Sequence, residues 1–319
     1  MTVNPVDNVP WSYEPGDLVW HYTNGPALKN ILTNHELWAG NTAFMNDTGE
    51  RRLADQYLRD AKKRMGDVFP PALDSYLDHV GDWYDNLRFT GPNAPDGTRY
   101  LLSASRSGDS LTMWRGYAGT DEVSYAVGLD RRQCLKVLAP ASLDVRRVGR
   151  SNEVKGWFDV SYDPQRAKKR ARVAVREILD TYSIASGNRD SGDAEVFKKI
   201  EDVTEELRDE TKHEGFRHEE ESRIIVKAEQ QLARYRPGKL GMIPYVAITG
   251  SDGSAGPLVH IANKLPIREI FISPGRDRFY AARSLNFLLE NCGYGGSYFE
   301  PWHSLINEIK IRVSSTPFR

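Results

Sequence analysis

Four short segments hold the side chains best suited to chemistry. His21-Tyr22-Thr23 closes an apolar run, and a strand there turns the imidazole and the phenol to opposite faces. In Phe44–Arg52, the spacing of Asp47 and Glu50 predicts a capping box. Asn46 and Arg52 are left over, at a helix N-terminus that receives phosphate oxygens well. Ser103-Ala104-Ser105 sets two hydroxyls on one strand face, and Met113, Trp114 and Tyr117 follow at helical spacing. In the fourth segment, Glu219-Glu220-Glu221 runs straight into Ser222-Arg223-Ile224-Ile225-Val226. Glu219, Glu221 and Arg223 share a face if the strand begins that early. A carboxylate held at a sheet edge and aimed into a cleft stabilises positive charge developing on a substrate. Each segment also has a plainer reading: a satisfied strand histidine, a helix cap, aromatic core packing and a solvated ion pair.

Other chemistries lack their residues. No phosphate loop, dinucleotide fingerprint or nucleophile elbow is present. His213 and His218 stand five apart, so they do not share a helix face as a zincin pair would. Two cysteines, Cys134 and Cys292, build neither a disulfide framework nor a Cys-rich zinc site, and no metal is expected. Over 319 residues the formal net charge is -1, which disfavours nucleic-acid binding by bulk charge. The one concentrated basic run, Arg166 to Arg176, reads as a solvated helix face, with a nucleic-acid or phosphorylated target as the sharper alternative. A polar start and the lack of a long apolar run predict a soluble, cytoplasmic chain with no membrane contact.

The elements that must position these residues follow from periodicity. Strands are expected at 18–23, 37–39, 100–105, 124–129, 222–227, 243–248, 269–272 and 309–313, with further candidates near 142–148 and 156–162. Helical stripes follow Pro26, Asp47 and Pro70-Pro71 and recur near 278–291, with Gly293 as a stop. Two more, one through Val175 and Ile178 and one through Val196 and Ile200, predict a helical hairpin inserted at about 164–212. Strands mixed with clustered helices predict an α+β fold, read as a single domain over 1–319.

Together these segments resemble the DUF2971 family of bacterial proteins. The resemblance rests on His21-Tyr22-Thr23, on Met45-Asn46-Asp47 with Glu50, and on Met113-Trp114 with Tyr117-Ala118. It extends through Phe216 with Glu219, Glu221 and Arg223, through Ile267–Ile270 before Ser273-Pro274-Gly275, and through Ser315–Arg319. The chain departs from the family's usual Gly-Pro near 273.

The layout of these strands is in turn similar to that of ADP-ribosyltransferases, which implies that fold's mixed β core with helices after the first strands. It implies NAD as substrate and no metal. By motif, His21 would hold the NAD ribose and nicotinamide amide, Ser103 or Ser105 would shape the nicotinamide pocket, and Glu221 would bond the ribose hydroxyl. Glu219 would orient the acceptor, although strand register leaves Glu219, Glu220 and Glu221 all open for the catalytic place. Tyr22 or Tyr117 would wall the nicotinamide, Arg52 or Arg106 would meet the pyrophosphate, and Thr23 and Asn46 would complete the cofactor site. The activity implied is transfer to a protein or nucleic acid, as a toxin or phage-defence effector. An NAD glycohydrolase and a non-catalytic nucleotide- or partner-binding module are the alternatives.

Overall fold

The computed structural model describes residues 15–45, 48–66, 69–70, 73–74, 99–117, 123–143, 152–185, 192–275, 278–295 and 309–317. The chain divides into two compact units. One comprises Met1–Phe44, Thr98–Phe158 and Glu219–Arg319, and the other Met45–Gly97 and Asp159–His218.

The first unit is built on a mixed sheet. It begins with β1 (Leu18–Asn24), whose last residue caps helix α1 (Gly25–Asn34): the Asn24 side chain accepts from the Ala27 amide at 2.9 Å, with Pro26 in the first turn. Next come β2 (Leu37–Asn41) and β3 (Arg99–Ser105). In the helical unit, α2 (Thr48–Met65) lies between these two strands in sequence. The sheet unit continues with α3 (Leu111–Tyr117), β4 (Ser124–Asp130), β5 (Leu135–Leu138) and the two-residue strands β6 (Glu153–Val154) and β7 (Phe158–Asp159). After the helical unit's α4 (Pro164–Ala185) and α5 (Gly192–Glu210), the chain returns as β8 (Glu221–Lys227), β9 (Arg234–Gly238), β10 (Gly241–Gly250) and β11 (Leu258–Val259). It closes with β12 (Ile267–Ile272), α6 (Arg278–Asn291) and β13 (Lys310–Val313).

The order β11-β5-β10-β2-β3-β1-β4-β12-β13, with β8 on β3 and β9 on β10, makes an α+β architecture. The β5–β11 and β12–β13 pairs are parallel, and the other registered pairs are antiparallel. One face of β1, β3, β4, β8 and β12 shares a core with one face of β2, β5 and β10, closed by Leu28, Ile31 and Leu32 of α1 and by Ala282, Leu285 and Leu289 of α6. Helix α6 ends in a Schellman turn: the Tyr294 amide bonds the Leu289 carbonyl, the Gly293 amide bonds that of Glu290, and Gly293 takes φ 73°.

Pairing along β3 leaves a gap between two of its neighbours. β8 occupies one edge of β3 from Arg99 to Ser105. On the other edge, β2 pairs only at Leu101 and Tyr100, and β1 pairs only where Trp20 meets Ser105. β1 and β2 therefore part from each other at the level of Ser103, leaving a fork in the sheet. From His21 onward, β1 stays laddered to β4 alone, His21 opposite Val127 and Asn24 opposite Ser124.

The second unit holds the two long helices expected within 164–212. Asp163 caps α4 by accepting from the Gln165 amide at 2.9 Å, ahead of Pro164. Ala171, Ala174, Val175 and Ile178 of α4 pack on Val196, Ile200, Val203 and Leu207 of α5 and on Ala54 and Leu58 of α2. A buried ion pair, Arg208 to Asp55 at 2.7 Å, also ties α5 to α2. Burial raises the Asp55 pKa and the Arg208 charge opposes that rise. Within the basic run, Arg166, Lys169, Arg172 and Arg176 face solvent while Arg170 bonds Glu206 of α5 at 2.9 Å.

Several expectations need adjusting. The expected strand near 156–162 shrinks to β7 and a single bridge between Ser161 and Thr211. β8 begins only at Glu221, because Glu219 ends a 3-10 turn and Glu220 takes a left-handed φ of 44°. Glu219 is thus not part of the strand's alternation. Residues 144–150, most of the helix expected after Pro70-Pro71, the expected N-cap Asp47 and the cofactor-site candidate Asn46 lie outside the described residues.

Candidate active site at the fork in the sheet

Three adjacent strands bring His21, Ser103 and Glu221 together, although 82 and 118 positions separate Ser103 from the other two. The Ser103 hydroxyl donates to Glu221 Oε1 at 2.5 Å, and His21 Nδ1 lies 3.2 Å from the Ser103 carbonyl oxygen. A carbonyl only accepts, so the imidazole carries its proton on Nδ1 and presents Nε2 as an acceptor.

The pleat sets the directions. Ser105 stands opposite both Trp20 and Glu221, and Ser103 stands opposite Arg223. Trp20, Tyr22, Ser103, Ser105, Glu221 and Arg223 therefore share one face, and His21 and Thr23 project from the other. In a continuous sheet a paired ladder would separate His21 from Glu221. Here that ladder is interrupted, and Ser103 touches both, one through its main chain and one through its side chain.

Glu221 is 5% exposed and Arg223 is 4% exposed. Arg223 grips the carboxylate with both arms, Nε to Oε1 and Nη2 to Oε2, each at 2.8 Å. Such a buried fork-on-carboxylate pair is charge-assisted and geometrically specific. The strand-entry ion pair foreseen as solvated is thus enclosed. Ser105 instead braces the chain around the site. Its hydroxyl donates to the Glu219 carbonyl at 2.7 Å and accepts from the Ser107 amide at 3.1 Å. Arg106 adds a main-chain bond beside it, its amide donating to the Glu220 carbonyl at 2.8 Å.

Tyr22 is buried edge-on against Trp114, ring centroids 4.7 Å apart. Its hydroxyl donates to the Ser107 carbonyl at 2.9 Å and accepts from the Ser110 amide at 3.0 Å. Burial raises its pKa, so it remains a neutral phenol. The loop after β3 is held in turn by Asp109, which accepts from Trp114 Nε1 at 2.8 Å and from the Ser315 amide at 2.8 Å. Burial pushes the Asp109 carboxyl up, but these bonds and the one from the Ser314 hydroxyl outweigh it and hold the pKa below the usual range. That clasp was not foreseen: Asp109 and the Ser314-Ser315 tail are 206 positions apart or nearly so, and only hydroxyl-rich composition hinted at it. Tyr117 is exposed on α3, and Arg52 is exposed on α2 of the helical unit. Asn46 lies outside the described residues. Among the described residues, no group of three or more His, Cys, Asp and Glu side chains is placed to hold a metal, and no helix is long and apolar enough to cross a membrane.

Burial lowers the His21 pKa, and the bond to the Ser103 carbonyl partly opposes the shift. A histidine that is neutral when folded binds a proton more readily when unfolded. Stability from this site is complete above the unfolded pKa of about 6.5 and is lost as pH falls below it. Urea titrations at pH 7.5 and 5.5 should therefore show a fall in unfolding free energy that shrinks in His21→Gln. Equal falls in both proteins would contradict the neutral assignment.

The fold and site define an α+β protein whose forked mixed sheet buries a serine–glutamate–arginine cluster. Residues 113–224, from α3 to the middle of β8, match the family model described as a protein of unknown function (DUF2971). No curated protein and no solved structure matches the chain.

Proposed function

We propose that the protein is an ADP-ribosyltransferase-like enzyme that cleaves NAD and passes ADP-ribose to a protein or nucleic acid. The observation that supports this reading is that Ser103 touches both His21, through its main-chain oxygen, and Glu221, through its hydroxyl, where the sheet forks. In the reaction the bond between ribose C1′ and the pyridinium nitrogen breaks, and nicotinamide leaves with the electron pair. The acceptor then bonds C1′ and loses a proton. Positive charge builds on the ribose, and a fixed carboxylate favours that transition state over the ground state. Glu221 already accepts a hydroxyl at 2.5 Å, the interaction a ribose hydroxyl would make in place of Ser103. His21 Nε2 offers an acceptor to the nicotinamide amide from the other side of the fork.

A second reading, a non-catalytic nucleotide-binding module, is favoured by the Arg223 clamp, which compensates the charge on Glu221. NAD carrying one label on nicotinamide and another on adenylate separates the readings. Purified protein with and without lysate should release nicotinamide and label a macromolecule. Nicotinamide release with free ADP-ribose alone indicates a glycohydrolase, and NAD left intact under both conditions overturns the enzymatic reading.

A further inference from the structure

A second feature lies on the β2–β10–β9 side of the sheet and is not used by the NAD reading. Burial alternates along β2: Leu37 and Ala39 enter the core, while Trp38 points outward and is 37% exposed. The indole stacks on Tyr245 of β10, with centroids 4.4 Å apart and planes 30° apart. Its orientation is locked from below. Trp38 Nε1 donates to Glu36 Oε1 at 2.9 Å, and the buried Glu36 takes Arg234 Nη1 on its other oxygen at 2.9 Å. Opposite Tyr245 stands Gly40, where an added Cβ would meet nothing within 4 Å, so the sheet face beside the ring pair is open.

The same face carries an exposed cation. Arg234 pairs with Tyr245 and Arg236 with Ile243, so both arginines lie on the Trp38 side of β9, and Arg236 is exposed. From Gln230 to Ser251 the chain carries Arg234, Arg236 and Lys239 and no acidic residue. Trp38 is partly in solvent and held by the buried Glu36, which also takes up the Arg234 charge, while Arg236 on the same face is exposed. An acidic peptide would use the Arg236 cation but not the ring, whereas a base stacks on an aromatic plane while Arg236 meets a phosphate.

We propose that this outer face, with Trp38 stacked on Tyr245 beside Arg234 and Arg236, binds single-stranded nucleic acid. The proposal stands whether or not the fork binds NAD. The full chain titrated into a fluorescein-labelled 20-mer of dT, and separately of rU, should raise anisotropy, quench tryptophan emission and bind more weakly as salt rises. Trp38→Ala should weaken binding about tenfold, Trp38→Phe should retain most of it, and Arg236→Ala should weaken it and flatten the salt dependence. Far-UV circular dichroism of each variant confirms the fold. No binding by the wild type, equal binding of poly-glutamate, or unchanged affinity in a folded Trp38→Ala would each overturn the proposal.

Discussion

Arg223→Ala should cost about 3–5 kcal/mol of stability, the usual penalty when a buried carboxylate loses its charge partner. Both residues of the pair are almost fully enclosed, and both arms of the guanidinium are engaged. The loss comes mainly from the charge left behind, not from a net gain made by the pair. Replacing both residues, Glu221→Leu with Arg223→Met, should therefore restore most of the lost stability. Urea unfolding followed by tryptophan fluorescence measures the four corners of this cycle. A single variant within about 1 kcal/mol of wild type would mean that Glu221 is compensated from elsewhere.

Gly250→Ala should be nearly as damaging despite adding one methyl group. A Cβ at Gly250 would lie 2.0 Å from the Lys264 carbonyl oxygen and 2.9 Å from its carbon, both backbone atoms. Neither side has room to yield. Gly250 is laddered to Leu135 of β5, and Thr249 Oγ1 donates to the Asn263 carbonyl at 2.7 Å while accepting from the Asn263 amide at 2.9 Å. Overpacking of this kind costs about 3 kcal/mol. Gly156→Ala is the control: its Cβ meets nothing within 4 Å, and its urea midpoint should stay close to wild type. A Gly250→Ala midpoint equal to that of the control would show that the strand end is more pliant than the geometry indicates.

Local pattern revealed most of the elements and little of their pairing. Alternation correctly sent His21 and Tyr22 to opposite faces and put Ser103 and Ser105 on one face, because a strand's period is a local property. The same rule misplaced Glu219, since the left-handed Glu220 breaks the strand one residue before Glu221 and no local signal marks a glutamate for that conformation. β9 escaped notice because Arg-Tyr-Arg-Pro-Gly carries no apolar alternation, and it is a strand only by pairing with β10. β5 and β11 were missed because four and two residues are too short for a periodic signal. The fork was invisible for a deeper reason. It depends on which strands share an edge of β3, and such contacts join residues about eighty positions apart or more. Likewise, α2 shows an apolar stripe in sequence, but its partners α4 and α5 lie more than a hundred residues downstream.

The enzymatic reading requires the Glu221 carboxylate to act on the ribose of NAD. Glu221→Asp isolates that requirement, because the charge that Arg223 needs is kept while the carboxylate is drawn back by one methylene, roughly 1.5 Å. Displacement of a reacting group by about 1 Å costs on the order of a hundredfold in rate. Nicotinamide release should therefore fall by about that factor in a protein whose far-UV circular dichroism shows it still folded. Release at the wild-type rate from the folded Glu221→Asp protein would show that this carboxylate is not the reacting group.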